Sequence, residues 1–157
     1  MPFEIFHSPA STASKVNIPA LGMGLIVRLP QEKTDGSLIV FETVNEPGFG
    51  PPLHRHREIE VFRVLEGKYL YEVDGRRFLA VTGDLVTVPG GVAHTFTNTS
   101  GKKARQLVMM LPAMDAVTFF KGLGEVMAEY GKDREALAAY GAPWGMEFLG
   151  PPISVEQ

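Results

Sequence analysis

The sequence predicts an all-β domain, a sandwich or barrel, with a short helical appendage at its C-terminal end. Three observations carry this. Between about residues 22 and 111, short β-rich runs alternate with Gly, Pro, Asp and Asn. After Pro112 the pattern turns to helical spacing. With 157 residues, 45% hydrophobic and 21% charged, the chain can build one domain with a proper core, and its composition is that of a soluble globular protein.

Residues 1–20 are rich in Ser, Ala, Pro and Thr and are expected to form an extended arm. Residues 21–112 are the β domain, with strands expected at Gly22–Leu29, Ser37–Val44, Ile59–Leu65, Lys68–Val73, Arg77–Val81, Asp84–Val88, His94–Asn98 and Arg105–Leu111. Residues 113–157 belong to the same domain. They hold two helices, Met114–Glu125 and Asp133–Tyr140, with Asp133 as an N-cap and Gly141 as a stop. The tail from Gly145 is broken by Gly and Pro and is expected to be irregular.

Two hairpins can be set in register. Glu66-Gly67 reads as a two-residue turn that pairs Val64 with Tyr69, Phe62 with Tyr71 and Glu60 with Val73. Asp74-Gly75 is a strong type I′ signal and pairs Tyr71 with Phe78. Side chains alternate along a strand, so Glu60, Phe62, Val64, Tyr69, Tyr71 and Phe78 share one face, expected inside the barrel. The other face carries Ile59, Val61, Arg63, Leu65, Leu70, Glu72, Arg77 and Leu79. That face is apolar for a solvated surface, and something is expected to cover it: the arm, the helices or a second copy. A homodimer is the expected state.

Composition narrows the function classes. A net charge of −3 and a pI near 5.8 argue against nucleic-acid and anionic-membrane partners, which need a basic face. There is no cysteine, which removes disulfides, thiolate catalysis and Cys-ligated clusters. No signal peptide or membrane-length apolar run is visible, so a cytoplasmic protein acting on a small-molecule substrate or ligand is expected.

Three of the four histidines fall between residues 48 and 98. His54 and His56 are two apart, which on an extended strand puts both imidazoles on one face. Glu60 keeps the same parity, and His94 can close the set from across a barrel. Imidazole and carboxylate suit one divalent transition metal, Fe, Mn, Ni, Co, Cu or Zn. Four such ligands leave two positions open on an octahedral ion, where a substrate or dioxygen can bind. His7 matches no pattern and reads as solvated. Arg55 and Arg57 have the wrong parity for the centre, and Arg105 reads as a surface strand residue. Phe62, Tyr69, Tyr71 and Phe96 are candidate pocket lining, with barrel filling as the alternative for the tyrosines and Phe96.

The spacing goes beyond the ligands. Gly48-x5-His54-x-His56-x3-Glu60-x6-Gly67 is followed after 15 residues by Gly83-x5-Pro89-x-Gly91-x2-His94-x3-Asn98. This resembles the two signature motifs of the cupin superfamily at every defining position. Within it the chain is similar to small single-domain cupins that resemble quercetin dioxygenase, as is the tail Gly145–Pro152. The resemblance implies a double-stranded β-helix, or jelly roll, with a metal held by His54, His56, Glu60 and His94. It makes Asn98 and the glycines structural. It also implies a metal-dependent dioxygenase acting on a small aromatic or enolic compound, with Glu60 as both ligand and general base. The same centre serves non-oxidative isomerases, cyclases and decarboxylases as a Lewis acid, and some cupins only bind a small molecule.

Overall fold

A computed structural model describes residues 3–154. The strands are β1 (Val16–Ile18), β2 (Met23–Leu29), β3 (Ile39–Asn45), β4 (Leu53–Arg55), β5 (Ile59–Glu66), β6 (Lys68–Val73), β7 (Arg76–Val81), β8 (Leu85–Val88), β9 (His94–Asn98), β10 (Ala104–Leu111) and β11 (Glu147–Gly150). Two helices, α1 (Ala116–Tyr130) and α2 (Arg134–Gly141), precede β11. The strands form two sheets, β1-β2-β3-β10-β5-β8 and β11-β4-β9-β6-β7, and neighbours run antiparallel. Their inner faces pack as the jelly-roll barrel expected.

The Asp74-Gly75 turn forms as read. Both residues have positive φ, 51° and 75°, and Tyr71 pairs with Phe78. The Glu66-Gly67 hairpin does not form. Only Gly67 separates β5 from β6, and one residue cannot close a tight hairpin. The chain instead turns a corner there, with Gly67 at φ 92°, and β6 joins the other sheet. A Cβ on Gly67 would lie 2.7 Å from Ala104 Cβ, so the corner leaves no room for a side chain. Val64 and Phe62 therefore pair with Gln106 and Val108 of β10, and Glu60 pairs with Met110.

The face assignment nevertheless survives this correction, because parity belongs to a strand and not to its partner. Glu60, Phe62, Val64, Tyr69 and Tyr71 are buried. Phe62 and Tyr71 meet across the barrel, ring centroids 5.5 Å apart, and not side by side. Phe78 is the exception. It shares the inner face and stacks on Tyr71, but edge strand β7 leaves it 39% exposed. On the outer face, neither the arm nor the helices cover Leu79 and Leu85, which stay 57% and 63% exposed.

Helix α1 starts at an N-cap Asp115, whose carboxylate accepts from the Thr118 N–H. It runs on to Tyr130 and ends at Gly131 with φ 60°. Asp133 caps α2 as expected, accepting from the Ala136 N–H at 2.9 Å. Gly141 does not stop the chain's helical path, which continues through a 3-10 turn at Ala142–Trp144 to Gly145 at φ 66°. The tail then departs from expectation, since Glu147–Gly150 forms β11 and pairs with β4. A strand also begins at Val16, inside the stretch read as arm, and pairs with β2. No helix among the described residues is long and apolar enough to cross a membrane.

Candidate metal centre

The segment before the first histidine is shaped by close backbone approach. A Cβ on Gly50 would sit 1.7 Å from the Phe96 carbonyl oxygen, so β4 can lie against β9 only with glycine there. Asn98 ties the neighbouring loops, its Nδ2 donating to the Asn45 and Lys102 carbonyls. Pro89-Gly90-Gly91 performs a second close approach. A Cβ on Gly90 would lie 2.2 Å from the Arg57 carbonyl oxygen, and the Gly91 N–H donates to the His56 carbonyl at 2.7 Å. The result sets His54 directly opposite His94 in the β4–β9 ladder.

The donor atoms of His54, His56, Glu60 and His94 all lie within 4.8 Å of one another, and all four residues are buried. Three come from β9, β4 and the residue after β4. The fourth, Glu60, projects from β5 of the facing sheet. Glu60 Oε1 is 2.5 Å from His56 Nε2 and 3.3 Å from His94 Nε2. His54 Nδ1 donates to the Pro52 carbonyl at 2.7 Å, and His94 Nδ1 to the Val92 carbonyl at 2.9 Å. A proton held on Nδ1 leaves the Nε2 lone pair free, the state a metal requires.

The electrostatics agree with this donor set. Burial, reinforced by neighbouring His94, lowers the His54 pKa to about 3, so it stays a neutral ligand across the physiological range. For Glu60, burial opposes ionisation, but the adjoining His56 and His94 rings outweigh it and hold the carboxyl well below the usual carboxylate range. Burial likewise opposes charge on His56, yet the adjoining Glu60 carboxylate prevails and raises its pKa. Buried imidazoles around a buried carboxylate make a mixed nitrogen and oxygen set that suits a first-row divalent ion.

The centre opens onto an apolar pocket. Phe62 and Phe96 line it together with Met110 and, from the C-terminal region, Phe119, Phe120 and Phe148. Among the described residues no Lys or Arg lines it, and beyond the ligands its polar side chains are Thr43 and Asn45. Tyr69 and Tyr71, expected in the lining, lie outside it. Their hydroxyls donate to Asn45 Oδ1 at 2.8 Å and to Gln106 Oε1, which ties both into the barrel wall. Arg55 points outward to Glu147, Arg57 is solvent-facing, and Arg105 pairs with Glu42 and Glu66. His7 is exposed.

Sequence reasoning missed the contributions of α1 and β11. The apolar spacing of α1 was legible, but nothing local says that Phe119 and Phe120 face the pocket. Phe148 pairs with His54 through a four-residue strand set between glycines, too short to register as a pattern. Glu58, buried between two ligands in the chain, was also overlooked.

Comparison with known proteins agrees with the geometry. The family described as "Cupin domain" matches residues 41–110. Quercetin 2,3-dioxygenase from Bacillus subtilis (strain 168) is 39% identical over 46 residues, 29% of this chain and 14% of that protein. The aligned part is thus a small fraction of the relative. Among solved structures, an RmlC-like cupin from Shewanella frigidimarina NCIMB 400 superposes with a TM-score of 0.64 at 20% identity, covering 74% of this chain and 99% of that one. KdgF from Halomonas sp. gives 0.65 at 14% identity, covering 73% and 99%. The polyketide cyclase RemF from Streptomyces resistomycificus gives 0.60 at 19% identity, covering 70% and 81%. Residues 41–110 thus resemble the cupin domain, and they contain a four-residue cluster able to hold a metal ion.

Proposed function

We propose that the protein is a metal-dependent dioxygenase acting on a small, uncharged aromatic or enolic compound. The observation that carries this reading is a His₃Glu donor set opening onto an aromatic pocket without a cationic side chain. Away from the metal itself a phosphate or carboxylate would find no cationic side chain there, whereas a flat neutral ring would find aromatic surface. The short match to quercetin 2,3-dioxygenase supports the oxidative chemistry.

A divalent ion held by His54, His56, Glu60 and His94 would supply Lewis acidity toward an enol oxygen and, if redox-active, electrons toward dioxygen. The chain's own groups do the rest. Phe62 and Phe96 present aromatic surfaces that orient a planar substrate edge-on to the centre. Phe119, Phe120 and Phe148 exclude water from the pocket. Glu60 Oε1 takes both histidine contacts, while Oε2 has no protein hydrogen bond among the described residues. Oε2 is the atom that accepts the substrate hydroxyl proton. With its pKa held low, Glu60 becomes an effective base once the substrate hydroxyl, itself acidified at the centre, lies within hydrogen-bond reach.

The test joins elemental analysis of the purified protein to oxygen consumption over catechols, flavonols and β-diketones. Stoichiometric metal and substrate-dependent oxygen uptake are expected, and His54→Ala with His94→Ala abolishes both while the β-rich circular dichroism persists. Metal content in that double variant equal to wild type would rule the centre out. Turnover that proceeds equally without oxygen would instead select a non-oxidative Lewis-acid reaction. That second reading is supported by the same cation-free pocket and by the structural similarity to a polyketide cyclase.

A further inference from the structure

Glu58 lies between two ligands in sequence and is 6% exposed. Its Oε2 is 3.3 Å from His56 Nδ1. Neither atom makes a formed hydrogen bond, to the other or to any other group among the described residues. Glu58 Oε1 faces Arg57 Nε at 3.5 Å, on a side chain that is 83% exposed. On the opposite edge of the His56 ring, Nε2 is 2.5 Å from Glu60 Oε1. The imidazole of His56 is therefore flanked by a carboxylate at each nitrogen.

A neutral imidazole has one N–H and one lone pair. Whichever nitrogen of a neutral His56 carries the proton, the other turns a lone pair toward carboxylate oxygen. With a neutral ring and no metal the arrangement is in conflict, with a buried acceptor left unpaired. A cation between Nε2 and Glu60 resolves it. The proton then sits on Nδ1 and serves Glu58, while Nε2 and Glu60 both face positive charge. In His54 and His94 a backbone carbonyl already accepts from Nδ1, so their tautomer needs no carboxylate partner.

We propose that Glu58 is the positioning residue of the metal centre, resting on the metal-centre reading above. It holds His56 as the Nδ1–H tautomer. Because its partner atom is a carboxylate and not a carbonyl, it also makes His56 the most strongly donating of the three imidazoles. Partners of this kind are typically worth 10–100-fold in metal affinity.

The experiment titrates wild type, Glu58→Gln and Glu58→Asp with Co²⁺ against a competing chelator and follows urea unfolding of each metal-free protein. Glu58→Gln is expected to weaken Co²⁺ binding 10–100-fold while leaving the metal-free unfolding midpoint unchanged or higher, because a buried orphan carboxylate is gone. Glu58→Asp should retain more affinity than Glu58→Gln. The ¹⁵N shifts of His56 in Zn²⁺-loaded wild type should show Nδ1 protonated. A merely structural Glu58 would lower the metal-free midpoint and leave affinity untouched. Wild-type affinity in Glu58→Gln, or an unprotonated Nδ1 in the Zn²⁺ form, overturns the proposal and spares the centre. Failure of wild type to bind either ion overturns both.

Discussion

Metal-free protein should lose stability in mild acid through His54. This residue is buried, and its pKa falls from 6.5 to about 3 because burial and neighbouring His94 disfavour its charge. Above pH 6.5 neither the folded nor the unfolded chain protonates it. Between 6.5 and 3 only the unfolded chain does, so the unfolded state binds more protons and stability falls as pH falls. From pH 7 to 4 about 2.5 pH units of that window are crossed. At ~1.4 kcal/mol per unit, His54 alone removes about 3 kcal/mol. The other groups act differently. The raised pKa of His56 adds stability at low pH that is lost as pH rises through its folded value. Depressed Glu60 adds stability that is lost only as pH falls below the ordinary carboxylate range. A comparison with His54→Gln, whose amide can still donate to the Pro52 carbonyl, isolates the histidine. The assay is urea unfolding of chelator-treated protein followed by Trp144 fluorescence at pH 7, 5.5 and 4. Wild type should lose about 3 kcal/mol more than His54→Gln across that range. Parallel profiles for the two proteins would refute the claim that His54 is held neutral by its surroundings.

Other consequences are open to direct measurement. Loading wild type with Co²⁺ at a hundredfold excess over its Kd should raise the unfolding free energy by about 2.7 kcal/mol, read from the same urea curves, and His54→Ala with His94→Ala should abolish the gain. Gly50→Ala, which drives a Cβ to 1.7 Å from a backbone oxygen, should cost ~3 kcal/mol or more or prevent folding. Gly36→Ala, strained only by its φ of 75° with nothing within 4 Å, should cost about 1–2 kcal/mol in thermal unfolding. Glu42 is 5% exposed and pairs with Arg28 at 2.9 Å and Arg105 at 3.2 Å; Glu42→Ala should lower stability by about 1–2 kcal/mol, since both arginines keep partial access to solvent. Tyr71→Phe should cost about 1–3 kcal/mol by stripping Gln106 Oε1 of its donor, with Co²⁺ affinity within twofold of wild type.

What the sequence made legible follows from how local each signal is. Asp74-Gly75 determines its own turn, because positive φ at two adjacent residues suits those side chains whatever the rest of the chain does. Strand parity is equally local, which is why Glu60 and Phe62 were placed inside even though their pairing was misread. The partner of β5 was not legible, since the choice between β6 and β10 depends on the corner at Gly67 and on contact with Ala104, far along the chain. The cluster of His54, His56, Glu60 and His94 was legible because its chemistry and spacing are unusual together. Glu58 was not, because a glutamate beside an arginine in sequence looks like an ordinary surface pair until its burial is known. Tyr69 and Tyr71 show the opposite failure. Their parity was right, but only the positions of Asn45 and Gln106 reveal that their hydroxyls are already engaged.

The order of parts along the chain has a consequence for assembly. All four candidate ligands lie between residues 54 and 94, and β10, the last strand of the first sheet along the chain, ends at Leu111. Phe119, Phe120, Met146 and Phe148, which wall the pocket, all come later. During synthesis from the N-terminus, the cage is therefore built while its mouth still stands open to the surrounding solution. An ion that arrives in that interval meets the cluster before the aromatic wall is in place.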